Sequence, residues 1–302
     1  MNQRPYRFVQ VDVFTTKPFG GNQLAVFTDA RGLSAEEMQT LAREMNFAES
    51  TFVLPPERPG AVKRVRIFTT TSEMPFAGHP TVGTTFVLAS EGVIPLTGAE
   101  TTAHLQLNIG LTPVRVTARD DRPEFVWMEQ RRAEFSEASA QAAAVAGAIG
   151  VEVEDIAATD WPLQVVSTGV PYLIVPLRSL DAIRRAHPDP TALQRILQRI
   201  LPPDTCAYLF TREAQDPAHP VHARMFNANP LDLPEDAATG SAAGPLGAYL
   251  ARHNILPPGK FVIEQGYEMG RPSLLYVGVT EAGPISVGGQ TVKVGEGVMY
   301  LP

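Results

Sequence analysis

Apolar and polar residues alternate along residues 7–12, and residues 23–28 form a short apolar run, so both stretches are predicted as strands. Between them, Lys17-Pro18-Phe19-Gly20-Gly21-Asn22 gathers the residues that punctuate structure and is read as a turn. The period then changes. Ser34 stands at capping-box spacing before Glu37, and Leu33, Met38, Leu41 and Met45 supply an apolar stripe, which predicts a helix ending near Asn46. Strands are predicted over residues 50–54 and 62–70, followed by an apolar helix over residues 81–90 that starts at Pro80, a favoured first-turn residue. Two more strands, over residues 105–109 and 114–118, lead to a polar stretch at residues 119–123 that is the candidate linker.

A similar pattern begins again beyond it. An Ala-rich helix is predicted over residues 138–149, strands over 163–167 and 172–177, and a helix over 190–200 with Leu193, Ile196, Leu197 and Ile200 facing inward. Strands over 207–211 and 221–227, a glycine-containing loop, a helix to about Arg252, and strands over 260–265, 273–279 and 292–294 complete the chain. Phe52 and Phe68 lie in consecutive strands of the first half, and Phe210 and Phe226 lie at the same spacing in the second. In both halves the order strand, helix, strand, strand, loop, helix recurs, which favours duplication. Two like domains are therefore expected, with their loops converging on a central cleft. A chain of 302 residues also exceeds what one ordinary core covers. The domains are placed at residues 1–122 and 123–302, with a strand from the C-terminal end as a candidate to complete the first.

Composition narrows the function. A content of 44% hydrophobic and 19% charged residues describes a globular protein. The formal charge of -7, with no run of Lys or Arg, argues against a nucleic-acid surface. No apolar stretch near residues 1–7 suggests a signal peptide, and none elsewhere is long enough to span a bilayer, so a cytoplasmic protein without membrane contact is expected. The single Cys206 excludes an intramolecular disulfide and two-cysteine catalysis, and its strand-like neighbours favour a buried thiol. His104, His187, His219, His222 and His253 show no metal-ligand spacing, with His219 and His222 read as part of a Pro-flanked turn. Gly20-Gly21-Asn22 matches neither dinucleotide nor phosphate-loop fingerprints, and no lysine motif suggests a pyridoxal site. Neither metal nor cofactor is expected, and Trp127 and Trp161 are assigned to the core.

The candidate chemistry sits at two helix-opening loops, Phe76-Ala77-Gly78-His79-Pro80-Thr81 and Glu235-Asp236-Ala237-Ala238-Thr239-Gly240-Ser241. The first N–H groups of a helix lack internal partners and carry partial positive charge, and Gly78 and Gly240 let a ligand approach them. A carboxylate held there needs no cationic residue. Thr81 and Ser241 are candidate caps or hydroxyl donors. Histidine titrates nearest neutrality, which makes His79 a candidate for proton transfer. Asp236 is either an N-cap or a working group. Glu49 enters an apolar strand, where burial would tune it toward a general base or acid, unless it is simply solvated at the strand's start.

As a set these segments resemble the phenazine-biosynthesis PhzF family, within the diaminopimelate-epimerase-like fold. The matching motifs run nearly end to end: Val11-Asp12-Val13-Phe14 with Gly20-Gly21-Asn22, Glu49-Ser50-Thr51-Phe52-Val53, the segment 73–81, Ser167-Thr168-Gly169-Val170-Pro171, the segment 235–241, and Glu264-Gln265-Gly266 with Gly270-Arg271-Pro272-Ser273. The resemblance implies an α+β fold of two similar domains, each a mostly antiparallel sheet or barrel wrapped around a central helix, with the active site in the cleft between them and a homodimer. It also implies cofactor-independent isomerisation by proton transfer on a small carboxylate-bearing substrate. The family's acid/base glutamate falls on Glu49, its active-site histidine on His79, its aspartate on Asp236 and its serine on Ser241. The backbone around Gly78 and Gly240, with Thr239 beside it, is expected to bind substrate. Related racemases place two cysteines in these loops; Cys206 lies outside both, which argues against two-thiol racemisation. Epimerisation at a single carbon, or ligand binding without turnover, are the alternatives to a suprafacial proton shift.

Overall fold

The computed structural model describes residues 3–139, 141–200, 206–229, 233–281 and 284–302. The chain divides into two compact units, Met1–Glu129 with Gly288–Pro302, and Gln130–Val287.

The first unit runs β1 (Arg4–Val13), β2 (Asn22–Phe27), α1 (Ala35–Met45), β3 (Glu49–Leu54), β4 (Lys63–Phe68), β5 (Glu73–Met74), α2 (Gly78–Ser90), β6 (Glu100–Leu107), β7 (Gly110–Arg119) and β8 (Arg122–Gln130). A long C-terminal strand, Thr291–Leu301, returns to pair antiparallel with β1, from Arg4 opposite Leu301 to Val13 opposite Thr291. The capping box at Ser34 forms as its spacing predicts, and α1 ends at Asn46, whose positive φ of 53° is the left-handed close common at helix ends. Met38 and Leu41 on its stripe pack into a core with Phe27, Phe52 and Phe68. Phe27 stacks on Phe52 at 4.7 Å, and Phe52 meets Phe68 edge-on at 5.5 Å. Aromatic contacts of this geometry add about 1 kcal/mol each beyond their buried area.

Helix α2 is buried almost all round, from Gly78 through Thr85 and again over Val87, Leu88 and Ala89. A helix without a polar face belongs inside a fold, and small residues let strands close on it. A Cβ on Gly83 would lie 2.7 Å from both Leu24 and Val13, so β1 and β2 approach the helix backbone directly. The helix begins at Gly78, earlier than the expected start at Pro80, with Ala77 as N-cap. Pro80 remains in the first turn, where its missing N–H costs no helical bond.

The second unit repeats the scheme. It comprises β9 (Glu134–Ser139), α3 (Ala142–Ile149), α4 (Val153–Ala157), β10 (Leu163–Ser167), β11 (Pro171–Pro176), α5 (Leu180–Arg185), α6 (Pro190–Ile200), β12 (Cys206–Thr211), β13 (Val221–Phe226), β14 (Glu235–Asp236), α7 (Gly240–Arg252), β15 (Gly259–Gln265), β16 (Ser273–Val279) and β17 (Ile285–Gly289). Its pairing repeats that of the first unit strand for strand. β2–β3 and β11–β12 are parallel; β3–β4, β4–β5, β12–β13 and β13–β14 are antiparallel; β4–β6 and β13–β15 are parallel again. Helix α7, like α2, is buried along nearly its whole length, here from Gly240 to Leu250. A Cβ on Gly247 would fall 2.7 Å from Val277, which brings β16 against the helix. Leu193 and Leu197 of α6 are buried and Ile196 packs against the same core, as the stripe predicts; the side chain of Ile200 lies outside the described residues.

Several expectations are corrected. The polar stretch at residues 119–123 is a hairpin turn joining β7 to β8, with Arg119 opposite Arg122, and not a linker. Asp120 and Asp121 both adopt positive φ, at 52° and 57°, the backbone that tight two-residue hairpins require. The helix expected from residue 138 begins only at Ala142, because Ala138 and Ser139 pair with Gln164 and Leu163 of β10. Ladder bonds outweigh alanine's helix preference there. Strands β8, β9 and β17 were not anticipated. His219 lies in a turn, but His222 is a fully buried residue of β13. Cys206, half-buried in β12, donates to Asn227 Oδ1 at 3.1 Å. Trp127 and Trp161 are also half-buried, Trp161 stacking on Phe210 at 5.9 Å. No helix among the described residues is long and apolar enough to cross a membrane.

Candidate active site

In each unit a short strand delivers the chain to its loop. Arg66 of β4 grips Glu73 of β5 through both carboxylate oxygens, at 2.8 and 2.6 Å, and Arg224 of β13 grips Glu235 of β14 at 2.8 Å twice. Paired hydrogen bonds from a guanidinium fix orientation as well as distance. The loops leave these anchors and enter α2 and α7. Neither Ala77 nor Thr239, the two N-caps, closes the helix end with its side chain. Thr81, a candidate cap, instead donates back to the Ala77 carbonyl at 2.7 Å. Ser241, the other candidate, meets the Tyr172 hydroxyl at 2.7 Å. The ends of α2 and α7 thus carry no side-chain cap, and their N–H dipoles suit an anion.

In the first unit, Glu49 opens β3 and its side chain is 16% exposed, so it is neither a solvated surface residue nor fully enclosed. Its Oε2 lies 3.6 Å from Nε2 of His79, wider than a direct hydrogen bond. His79 is 2% exposed and its Nε2 has no hydrogen-bond partner among the described residues. A buried polar atom without a partner costs free energy, and such atoms cluster where chemistry needs them. The other ring nitrogen, Nδ1, sits 3.0 Å from the Asn22 side-chain amide. Burial pushes the His79 pKa down to about 3, with a backbone hydrogen bond to Gln23 opposing the effect. His79 is therefore a neutral imidazole at ordinary pH, not the near-neutral titrating group that its residue type suggests.

Asn22 reaches the ring because the preceding turn is held. Asp12 of β1 accepts the Phe19 N–H at 2.7 Å, and Gly21 takes a φ of +63° where a Cβ would lie 2.3 Å from the Val13 carbonyl. That accounts for Asp12 and Gly21 of the N-terminal motif.

In the second unit, Asp236 is 7% exposed in β14 and is not the N-cap of α7. Its Oδ2 accepts the Thr239 hydroxyl at 2.6 Å. Thr239, expected to meet substrate, thus directs its hydroxyl to Asp236. Gln265 of β15 reaches the Asp236 carbonyl at 2.8 Å and the Thr239 hydroxyl at 2.9 Å. On the far side of Gly240, the Gln130 amide donates to the Gly240 carbonyl at 2.8 Å, and its oxygen accepts from Thr168 at 2.6 Å.

The pattern of two matched, buried helices with these residues at their starts can be compared with known proteins. Residues 11–297 match the PhzC-PhzF family, described as phenazine biosynthesis-like protein. The chain belongs to this family. It is 37% identical to the trans-2,3-dihydro-3-hydroxyanthranilate isomerase of Pseudomonas aeruginosa, over 98% of this chain and 100% of that one. A solved PhzF-family phenazine biosynthesis protein from Bacillus anthracis shares 30% identity at a TM-score of 0.85, covering 98% of this chain and 99% of its own. A hydroxyproline epimerase from Agrobacterium vitis, at 18% identity and a TM-score of 0.68 over 100% and 93% of the two chains, shares the fold. The chain is an isomerase.

Four residues of this PhzC-PhzF isomerase join the candidate groups without having been assigned a role from sequence: Asn22, Gln130, Tyr172 and Gln265. Asn22 and Gln265 stand inside the motifs that carry the family resemblance, and Tyr172 follows one directly. Membership of a motif was the available signal, since the contacts themselves are long-range. Glu264, beside Gln265, is fully buried; it accepts the backbone N–H groups of Gln215 and Asp216 at 2.8 and 2.9 Å. Burial would raise its pKa, but hydrogen bonds from His222 and His219 and from those N–H groups pull it down to about 2. Burial likewise opposes charge on His222, yet bonds to Glu264 and Glu268 hold its pKa above the usual value. This ion cluster anchors the strand that supplies Gln265. Among the described residues no group of three or more His, Cys, Asp or Glu side chains is arranged to hold a metal.

Proposed function

We propose that this isomerase catalyses a cofactor-independent, suprafacial proton shift on a small unsaturated carboxylate, with Glu49 removing the proton from one carbon and returning it to another. One observation carries the reading: the Glu49 carboxylate faces the buried, unpartnered Nε2 of His79 at 3.6 Å, beside a helix end that lacks a side-chain cap. Glu49 keeps access to solvent while His79 does not, so the carboxylate is the group suited to exchange protons repeatedly. A base positioned on the reacting carbon contributes roughly 10²–10⁴-fold to rate. The neutral His79 orients a polar group of the substrate. The N–H groups at the start of α2, around Gly78, hold the substrate carboxylate and stabilise negative charge as it develops. Donors preorganised in this way lower a barrier by about 3 kcal/mol each.

The Pseudomonas aeruginosa relative's name supplies the substrate to try, trans-2,3-dihydro-3-hydroxyanthranilate, a ring that bears a carboxylate and a donor-bearing hydroxyl. The chain is incubated with it in deuterated water and the product read by NMR. Deuterium appearing at a carbon other than the one deprotonated supports the shift. Deuterium at the original carbon with inverted configuration replaces it with single-carbon epimerisation, and absence of turnover removes this substrate class.

A further inference from the structure

The hydrogen bonds around Gln265 determine a proton position that distances alone leave open. Gln265 and Tyr208 are fully buried, and Thr239 and Asp236 nearly so, at 4% and 7% exposure. Two of the groups around the Gln265 amide belong to the backbone and have fixed polarity. The Thr239 N–H can only donate, and it lies 3.1 Å from one amide atom, which must be Oε1. The Asp236 carbonyl can only accept, and it lies 2.8 Å from the other, which must be Nε2. The side-chain amide cannot be flipped without breaking both bonds.

The rest follows in sequence. With Oε1 as acceptor, the Tyr208 hydroxyl at 2.9 Å must donate to it. Burial and the charge of Asp236 both push the Tyr208 pKa up, which keeps that phenol protonated. With Nε2 as donor, its second proton goes to Thr239 Oγ1 at 2.9 Å, which must accept. The threonine hydroxyl has one proton of its own. Its remaining partner is Asp236 Oδ2 at 2.6 Å, so the proton lies on that line. The short separation suits a hydrogen bond to an ionised carboxylate.

We propose that Gln265 and Thr239 are positioning residues that fix the orientation of the Asp236 carboxylate through a hydrogen-bond chain that runs in one direction only. On this account the Asp236 side chain does not turn away, because it is oriented by a hydroxyl that is itself oriented. This deepens the proton-shift reading for its kinetic consequence, but the direction of the hydroxyl stands independently of it.

Neutron diffraction from the full chain, with exchangeable hydrogens replaced by deuterium, tests the direction. Nuclear density for deuterium between Thr239 Oγ1 and Asp236 Oδ2 is expected; density directed from Thr239 toward Gln265 or into solvent overturns the proposal. The kinetic arm compares Thr239→Val and Thr239→Ser on trans-2,3-dihydro-3-hydroxyanthranilate. Loss of a hydrogen bond to a charged group predicts roughly a ten- to hundredfold fall in kcat for the valine variant, with a smaller change in KM and recovery of most turnover by serine. A valine variant that merely melts earlier, with kcat per folded molecule unchanged, refutes the positioning role. If the wild-type chain does not turn over this substrate, the functional reading fails while the neutron result still decides the hydroxyl.

Discussion

The loops that open α2 and α7 are alike as backbone and opposite as chemistry. Each follows an arginine–glutamate clamp, begins a helix buried almost throughout, and leaves the helix end without a side-chain cap. Around Asp236, the Thr239 hydroxyl, the Gln265 amide and the Tyr208 hydroxyl form one continuous hydrogen-bond chain. At His79 a buried ring nitrogen has no hydrogen-bond partner among the described residues and faces a carboxylate just too far away to bond. A satisfied network resists rearrangement, whereas an unsatisfied one is completed when something binds. The two loops share a backbone frame, and their side chains differ in how far their hydrogen bonds are completed among the described residues.

That contrast can be broken by substitution. The largest effect is expected at Glu49. Glu49→Gln keeps shape and removes the base, and kcat should fall by about 10³-fold with folding intact, as steady-state kinetics and circular dichroism would show. A fall under tenfold would move the base elsewhere. The rigid side is sensitive to crowding. A Cβ on Gly244 would sit 1.8 Å from Gln130 Oε1, so Gly244→Ala must expel the amide that holds Gly240. Stripping partners from buried polar groups costs about 2 kcal/mol, readable as a lowered midpoint in urea. An unchanged midpoint would mean that Gln130 relaxes freely.

Tyr172→Phe removes the partner of Ser241 without altering volume. About a tenfold loss in kcat/KM is expected if the phenol directs the serine hydroxyl, and no added loss in a Ser241→Ala background. Independent losses that sum would show that Tyr172 acts apart from Ser241. The last effect concerns pH. The pKa of His79 is lowered from 6.5 to about 3 in the fold, so between these values the unfolded chain binds a proton that the folded chain refuses. Stability from this group is complete above pH 6.5 and declines as pH falls toward 3, by at most about 1.4 kcal/mol per pH unit. In His79→Gln that contribution is gone, and the thermal midpoints of variant and wild type should converge on acidification.

What was legible in the sequence was local or periodic. The capping box at Ser34 and the stripe of α6 each depend on residues a few positions apart, and each recurs in the structure. The hairpin at residues 119–123 was misread because two aspartates at positive φ look like a polar boundary until β7 and β8 are seen paired. The start of α2 was displaced because proline was taken to mark the helix's beginning, whereas Ala77 precedes it with no capping side chain to announce it. Glu49 and His79 were both candidates from their types and settings, and the fold brings them together. Gln265, Tyr172 and Asn22 gave no such signal, since a buried amide or phenol gains its role only from a partner far along the chain.

The central claim is that one carboxylate, Glu49, takes and returns the proton while the second loop holds still. The most direct measurement is the face on which deuterium enters trans-2,3-dihydro-3-hydroxyanthranilate during turnover in deuterated water. Delivery to the same face from which the proton left is the predicted result. Delivery to the opposite face requires a second acid/base group and would contradict the account.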